Sequence, residues 1–184
     1  MSSVMRKYLP LLLILICLFF SIRITSAQPS DLNQIIKSEP PAFSKQMIQI
    51  SDLIVYAHLD EHVTKWDTGR RLASGAKLIN AAQHLHIRQT LKGRSPVNPL
   101  LVTTGVDPLP PPQDPLNNVY TGPLADGDYI LFLKSFHDAQ HFILNGGFTA
   151  VYPVVSGKMI ALDQGFKEFE GLTVPDLSKR LHDQ

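Results

Sequence analysis

The 184-residue chain is nearly neutral, with 17 basic and 16 acidic residues, and its only cysteine is Cys17. That balance excludes the basic footprint of a nucleic-acid binder, and one thiol excludes internal disulfides and multi-cysteine metal sites. What remains is a chain that must be stabilised by burying a hydrophobic core.

Arg6 and Lys7 precede an uncharged apolar run of 15 residues, Tyr8 to Ile22, and Thr25-Ser26-Ala27 sets small residues ahead of Gln28. This order is that of a secretory signal peptide cleaved after Ala27, so residues 1–27 are expected to be removed and the protein secreted. The run is short of the ~20 residues that span a bilayer as a helix, so membrane attachment is expected only if the signal stays uncleaved. Cys17 follows Leu15-Ile16 where a lipoprotein signal needs small residues, which argues against lipidation. Cleavage leaves a cysteine-free domain of 157 residues with fourteen basic and sixteen acidic side chains, enough for one core.

Residues 28–41 form a polar segment in which Asp31 to Lys37 is expected to give at most a short helix, ended by Pro40-Pro41. The single domain is then expected over residues 42–184. Phe43, Met47 and Ile50 recur at helical spacing, predicting an amphipathic helix over 42–51, and Leu53 to Leu59 predicts a strand. Residues 62–76 carry Asp67-Thr68-Gly69 and Ser74-Gly75 and predict a turn or excursion. Lys77 to Leu91 predicts a strand, with Leu85, Ile87 and Gln89 alternating against His84, His86 and Arg88 as on a sheet wet on one face. A short strand is expected over Leu100 to Thr104, then a stiff surface loop over the proline-rich Asp107 to Pro115.

Tyr129 to Leu133 is apolar without alternation and predicts a central strand buried on both faces. His141 to Leu144, Thr149 to Val155 and Lys158 to Leu162 predict three more strands. Thr173, with Asp176 three residues on and Leu177 and Leu181 beyond, predicts a capped C-terminal helix. About seven strands between short helices make the expected fold mainly β, a small antiparallel OB-like barrel with short flanking helices.

Three blocks carry a resemblance: Ser51-Asp52-Leu-Ile-Val-Tyr-Ala57, Leu85-His-Ile-Arg-Gln-Thr-Leu-Lys-Gly93 and Gly127-Asp-Tyr-Ile-Leu-Phe-Leu-Lys134. Their order resembles that in small exported bacterial proteins of uncharacterised function, and is similar to the OB-type barrel of the netrin module and the tissue inhibitors of metalloproteinases. The resemblance spans roughly residues 43–162 and implies a fold rather than an activity. Those inhibitors chelate their target's zinc through an N-terminal cysteine, whereas position 28 here is Gln, so that chemistry has no counterpart in this chain.

Three constellations could carry function. His84 and His86, two apart on a strand, project to one face and could converge on zinc or copper with His58 or His62 as a third ligand; no other cofactor is expected. Trp66 beside Lys65, Arg70 and Arg71 has the aromatic and cationic character of a contact surface, and the proline-rich loop that of a recognition segment. His137 and His141 have helical ligand spacing but fall where a hairpin turn is expected. No Gly-x-Ser-x-Gly elbow, His-Glu-x-x-His helix or phosphate-binding loop occurs, and Ser74, Ser95 and Ser156 read as turn residues. The expectation is therefore an exported, non-catalytic binding module for an extracellular protein or cell-surface component. A metal-binding protein or metal-dependent enzyme built on His84, His86 and His58, and a structural envelope protein, are the alternatives.

Overall fold

The computed structural model describes residues 32–183, so the expected signal, its cleavage site and Cys17 lie outside the described residues. The fold is mainly β. Helix α1 (Ser44–Ile50) leads into β1 (Leu53–Leu59), β2 (Val63–Arg71), β3 (Lys77–His84), β4 (His86–Lys92) and β5 (Leu100–Asp107). After a short helix, α2 (Leu116–Val119), come β6 (Gly127–Phe136), β7 (Asp138–Leu144), a 3-10 turn over 147–150, β8 (Val151–Val155), β9 (Lys158–Met159) and α3 (Val174–His182).

The strands join in the order β2-β3-β5-β7-β6-β1-β4, with β8 on β6 and β9 on β8. Two features differ from the expected small antiparallel OB-like barrel. The ladder is open, ending at β2 and β4, and β5 pairs with β7 in parallel through Leu100–His141 and Leu101–Phe142. Nine strands occur among the described residues, the largest addition being β2, where an excursion was expected. Its turn-like Asp67-Thr68-Gly69 is a bulge inside an antiparallel pair with β3: the register slips between Asp67 and Arg70, with Gly69 at φ +75° and its N–H donated to Asp67 Oδ1 at 2.7 Å. The expected strand over Lys77 to Leu91 is split at Leu85, whose N–H goes to Pro99 O at 3.0 Å while its side chain is buried. The strand expected over 158–162 stops at Met159.

Strand β6 is central, as its apolar run requires. Ile130 to Leu133 are fully buried and Tyr129 nearly so; β1 lies along one edge, and β7 and β8 share the other. Phe132 meets Phe169 at 5.6 Å and Tyr152 at 5.7 Å between ring centroids, and Tyr152 meets Phe169 edge-on at 5.2 Å. Burial raises the Tyr152 phenol, whose oxygen accepts the Phe166 N–H at 2.9 Å.

Helix α1 buries Ser44, Met47 and Ile48 rather than the expected Phe43, Met47 and Ile50 stripe, leaving Phe43 and Ile50 exposed. The 44/47/48 face turns inward because its C-terminus is pinned. Lys92 Nζ donates to the carbonyls of Ile48, Gln49 and Ser51 at 2.6–3.0 Å, and Ser51 Oγ to Met47 O at 2.7 Å. Residues 35–41 form neither helix nor strand, and side chains of the sheet take backbone groups of this segment and of the residues just before it. Buried Asn80 donates to Leu32 O and Gln34 O, and Thr104 Oγ1 accepts the Ile36 N–H at 2.8 Å. At the other terminus Thr173 and Asp176 form the expected capping box on α3, and Leu177 is buried. Donation from the Thr173 hydroxyl, then from its N–H, holds the Asp176 carboxyl below the usual carboxylate value.

Candidate functional site

Two surfaces gather the expected site residues. The first is the outer strand β2. Val63 to Asp67 pair one-to-one with Gln83 to Ile79 of β3, and Arg70 and Arg71 with Leu78 and Lys77, while among the described residues the opposite edge of β2 bonds no strand. Trp66 is half-buried on the sheet face it shares with its partner Asn80, whereas Lys65, Arg70 and Arg71 are exposed. The arginines do not stack on Trp66: the cation–π pairs among the described residues are Arg88 over Tyr56 and Arg180 over Phe169. Arg71 Nη1 donates locally to Gly75 O at 3.2 Å, and Asp67 pairs with Lys77 at 3.6 Å. Beside β2 lies a hollow of about 280 Å³ lined by Lys65, Ile79, Gly105, Leu109, Pro110 and Tyr120, among others, so the proline-rich loop forms one of its walls.

The second surface is a histidine–carboxylate face on β1, β4 and β6. The register sets His86 opposite His58 and His58 opposite Asp128, placing three side chains in one row across three strands. His58 Nδ1 lies 3.0 Å from Asp128 Oδ1, which also receives Arg88 Nη2 at 3.0 Å; Tyr56 Oη is 3.3 Å from the other carboxylate oxygen. His86 Nε2 lies 2.9 Å from Asp60 Oδ2, and the His62 N–H reaches Asp60 Oδ1 at 2.9 Å. Those two donors, the His62 amide first and His86 second, hold the Asp60 carboxyl below its ordinary value. The His86 ring centroid is 6.2 Å from that of His58 and 6.5 Å from that of His84. The structure therefore brings together the three histidines expected from sequence, although as the side chains stand no three ligand groups among the described residues form a metal site.

Sequence reasoning missed Asp60, Asp128, Arg88 and Tyr56 as members of this face. The available signal was the two-residue spacing of Tyr56 and His58, on one side of β1, continued by Asp60 just beyond its end. His137 and His141 stay apart in role: His137, at φ +61°, turns the β6–β7 hairpin against Phe136, and His141 pairs with Asp138 at 2.8 Å. Ser156, at φ +51°, is a turn residue as expected. Compared with known proteins, the chain matches no family model, no curated protein and no solved structure at a significant level.

Proposed function

We propose that this chain is an exported, non-catalytic binding module of OB type that docks an extended acidic segment of an extracellular protein along β2. The observation that carries the reading is that β2 is an edge strand nine residues long, bonded on one side, with Lys65, Arg70 and Arg71 exposed along it. An open edge offers backbone donors and acceptors to an extended partner, and its side chains select which partner. Asp67 is already matched by Lys77, so the strand is net cationic; it repels a second copy of itself and favours acidic sequence. The bulge at Thr68-Gly69 confines regular pairing to Val63–Asp67, and the hollow beside Lys65 gives room for one side chain of the partner.

The OB-type reading is supported by the contiguity of β3 and β4, separated only by Leu85. One half pairs with β5 and the other with β1, so a nearly continuous stretch of strand joins β4, at one end of the ladder, to β3, next to the other end, where the ladder itself does not close. Export follows from the leader sequence, cleaved after Ala27, and an uncleaved leader would tether the same module to the membrane.

Capture tests the reading. The immobilised protein is incubated with extracellular material, and retained proteins are compared with those held by an Arg70→Glu/Arg71→Glu variant. The expected result is a retained protein whose binding falls more than about tenfold when the two charges are reversed; equal retention by the variant overturns it.

A further inference from the structure

The histidine face has no part in docking at β2, and its groups are arranged for a different ligand. His58 engages Asp128 through Nδ1, which leaves Nε2 available, and His86 engages Asp60 through Nε2, which leaves Nδ1 available. A carboxylate on one imidazole nitrogen fixes the ring and raises the basicity of the other, the relation that orients metal-binding histidines. His84 stands beside His86, and both border an open cleft of about 330 Å³ lined also by Ser95 and Asn98. Asp60 and Asp128 outweigh Arg88, so with neutral imidazoles the face is net anionic and attracts a cation. Metal–nitrogen bonds of about 2.0–2.1 Å set the rings of two histidines on one ion about 5 Å apart. The 6.2 and 6.5 Å separations here exceed that spacing by little more than about 1 Å, and the half-exposed His58 and the exposed His84 and His86 have room to rotate inward on binding an ion.

We infer that His58, His84 and His86 bind one divalent transition metal ion, Asp128 and Asp60 acting as positioning residues and water completing the coordination. Three imidazoles without thiolate select copper(II) or zinc over calcium or magnesium, with copper(II) the tighter.

Copper(II) sulfate alone is titrated by calorimetry into the purified protein after chelator treatment, and the complex is examined by electron paramagnetic resonance. The expected result is one ion per chain with imidazole-nitrogen couplings, competed by zinc. His86→Ala should weaken binding by about tenfold or more, Asp128→Asn by about 10–100-fold, and the His58→Ala/His84→Ala/His86→Ala variant should retain none. Near-ultraviolet dichroism of Trp66 reports folding of each variant, and His86→Gln, judged by its lost nitrogen couplings, decides if the triple variant does not fold. A His137→Ala/His141→Ala control should bind as the parent does. Absence of stoichiometric binding, binding that survives the triple substitution, or loss in the control overturns the inference.

Discussion

The junction beneath α1 and the outer strand β2 use their polar groups in opposite ways. At the junction Lys92 Nζ serves three helix-end carbonyls, Asp52 Oδ2 accepts the Ser135 N–H, and buried Asn145 donates to Met47 O and Ser51 Oγ. Gly93 lies so close to the Asp52 carbonyl that a Cβ would sit 2.1 Å from its oxygen. On β2 the cations are exposed and the polar contacts are local ones around the bulge and the following turn. Two of the three blocks that carry the sequence resemblance, Ser51-Asp52 and Leu91-Lys92-Gly93, are therefore spent on the fold, while β2 leaves its cations exposed. A short block of sequence can thus report architecture and be silent on activity.

Substitutions should separate the two regions by size of effect. The largest is at the central strand on which the junction rests, where the Phe132 carbonyl receives the Asn145 N–H. Phe132→Ala empties a fully buried site between Tyr152 and Phe169 and should cost about 3–5 kcal/mol in denaturant unfolding; a loss below about 1 kcal/mol would move β6 out of the core. Next is Gly93→Ala, which adds a backbone clash at φ +82° and should cost about 2–4 kcal/mol. Lys92→Met keeps the aliphatic stem but removes the ammonium from three carbonyls, for about 1–2 kcal/mol. Arg70→Ala/Arg71→Ala should leave stability within about 0.5 kcal/mol, because neither side chain supports packing. A larger loss there would place β2 among the structural elements and erase the contrast.

The smallest effect is a titration. Asp60 is depressed in the folded protein, so what it adds to stability is present at neutral pH and is lost only as acid protonates it through its lowered midpoint. His86→Ala should raise that midpoint, read from the Asp60 carboxyl signal by nuclear magnetic resonance, without restoring the ordinary value, since the His62 amide still donates. An unchanged midpoint would mean that His86 does not engage Asp60 in solution.

Much of this fold is legible in sequence where local pattern and burial agree. The unbroken run at Tyr129–Leu133, the strand Leu53–Leu59 and the Thr173–Asp176 cap each follow from one local rule. β2 is not legible, because its turn-forming Asp67-Thr68-Gly69 builds a bulge once β3 supplies a partner, and no local pattern names that partner. The inward face of α1 is hidden for a similar reason: Lys92, more than forty residues away, pins its end. At the histidine face His84 and His86 are readable from their spacing, whereas the choice of His58 over His62 rests on the β1–β4 register. Asp128 joins them only through the β1–β6 register, which is a property of the whole sheet.

The most direct test of β2 as the contact strand is amide hydrogen exchange on the protein with and without the partner retained in the capture experiment. The expected result is slowed exchange at Val63–Asp67 on binding, with the already buried amides of the α1 junction unchanged. Protection confined to β1 and β4, with β2 exchanging as in the free protein, would contradict it.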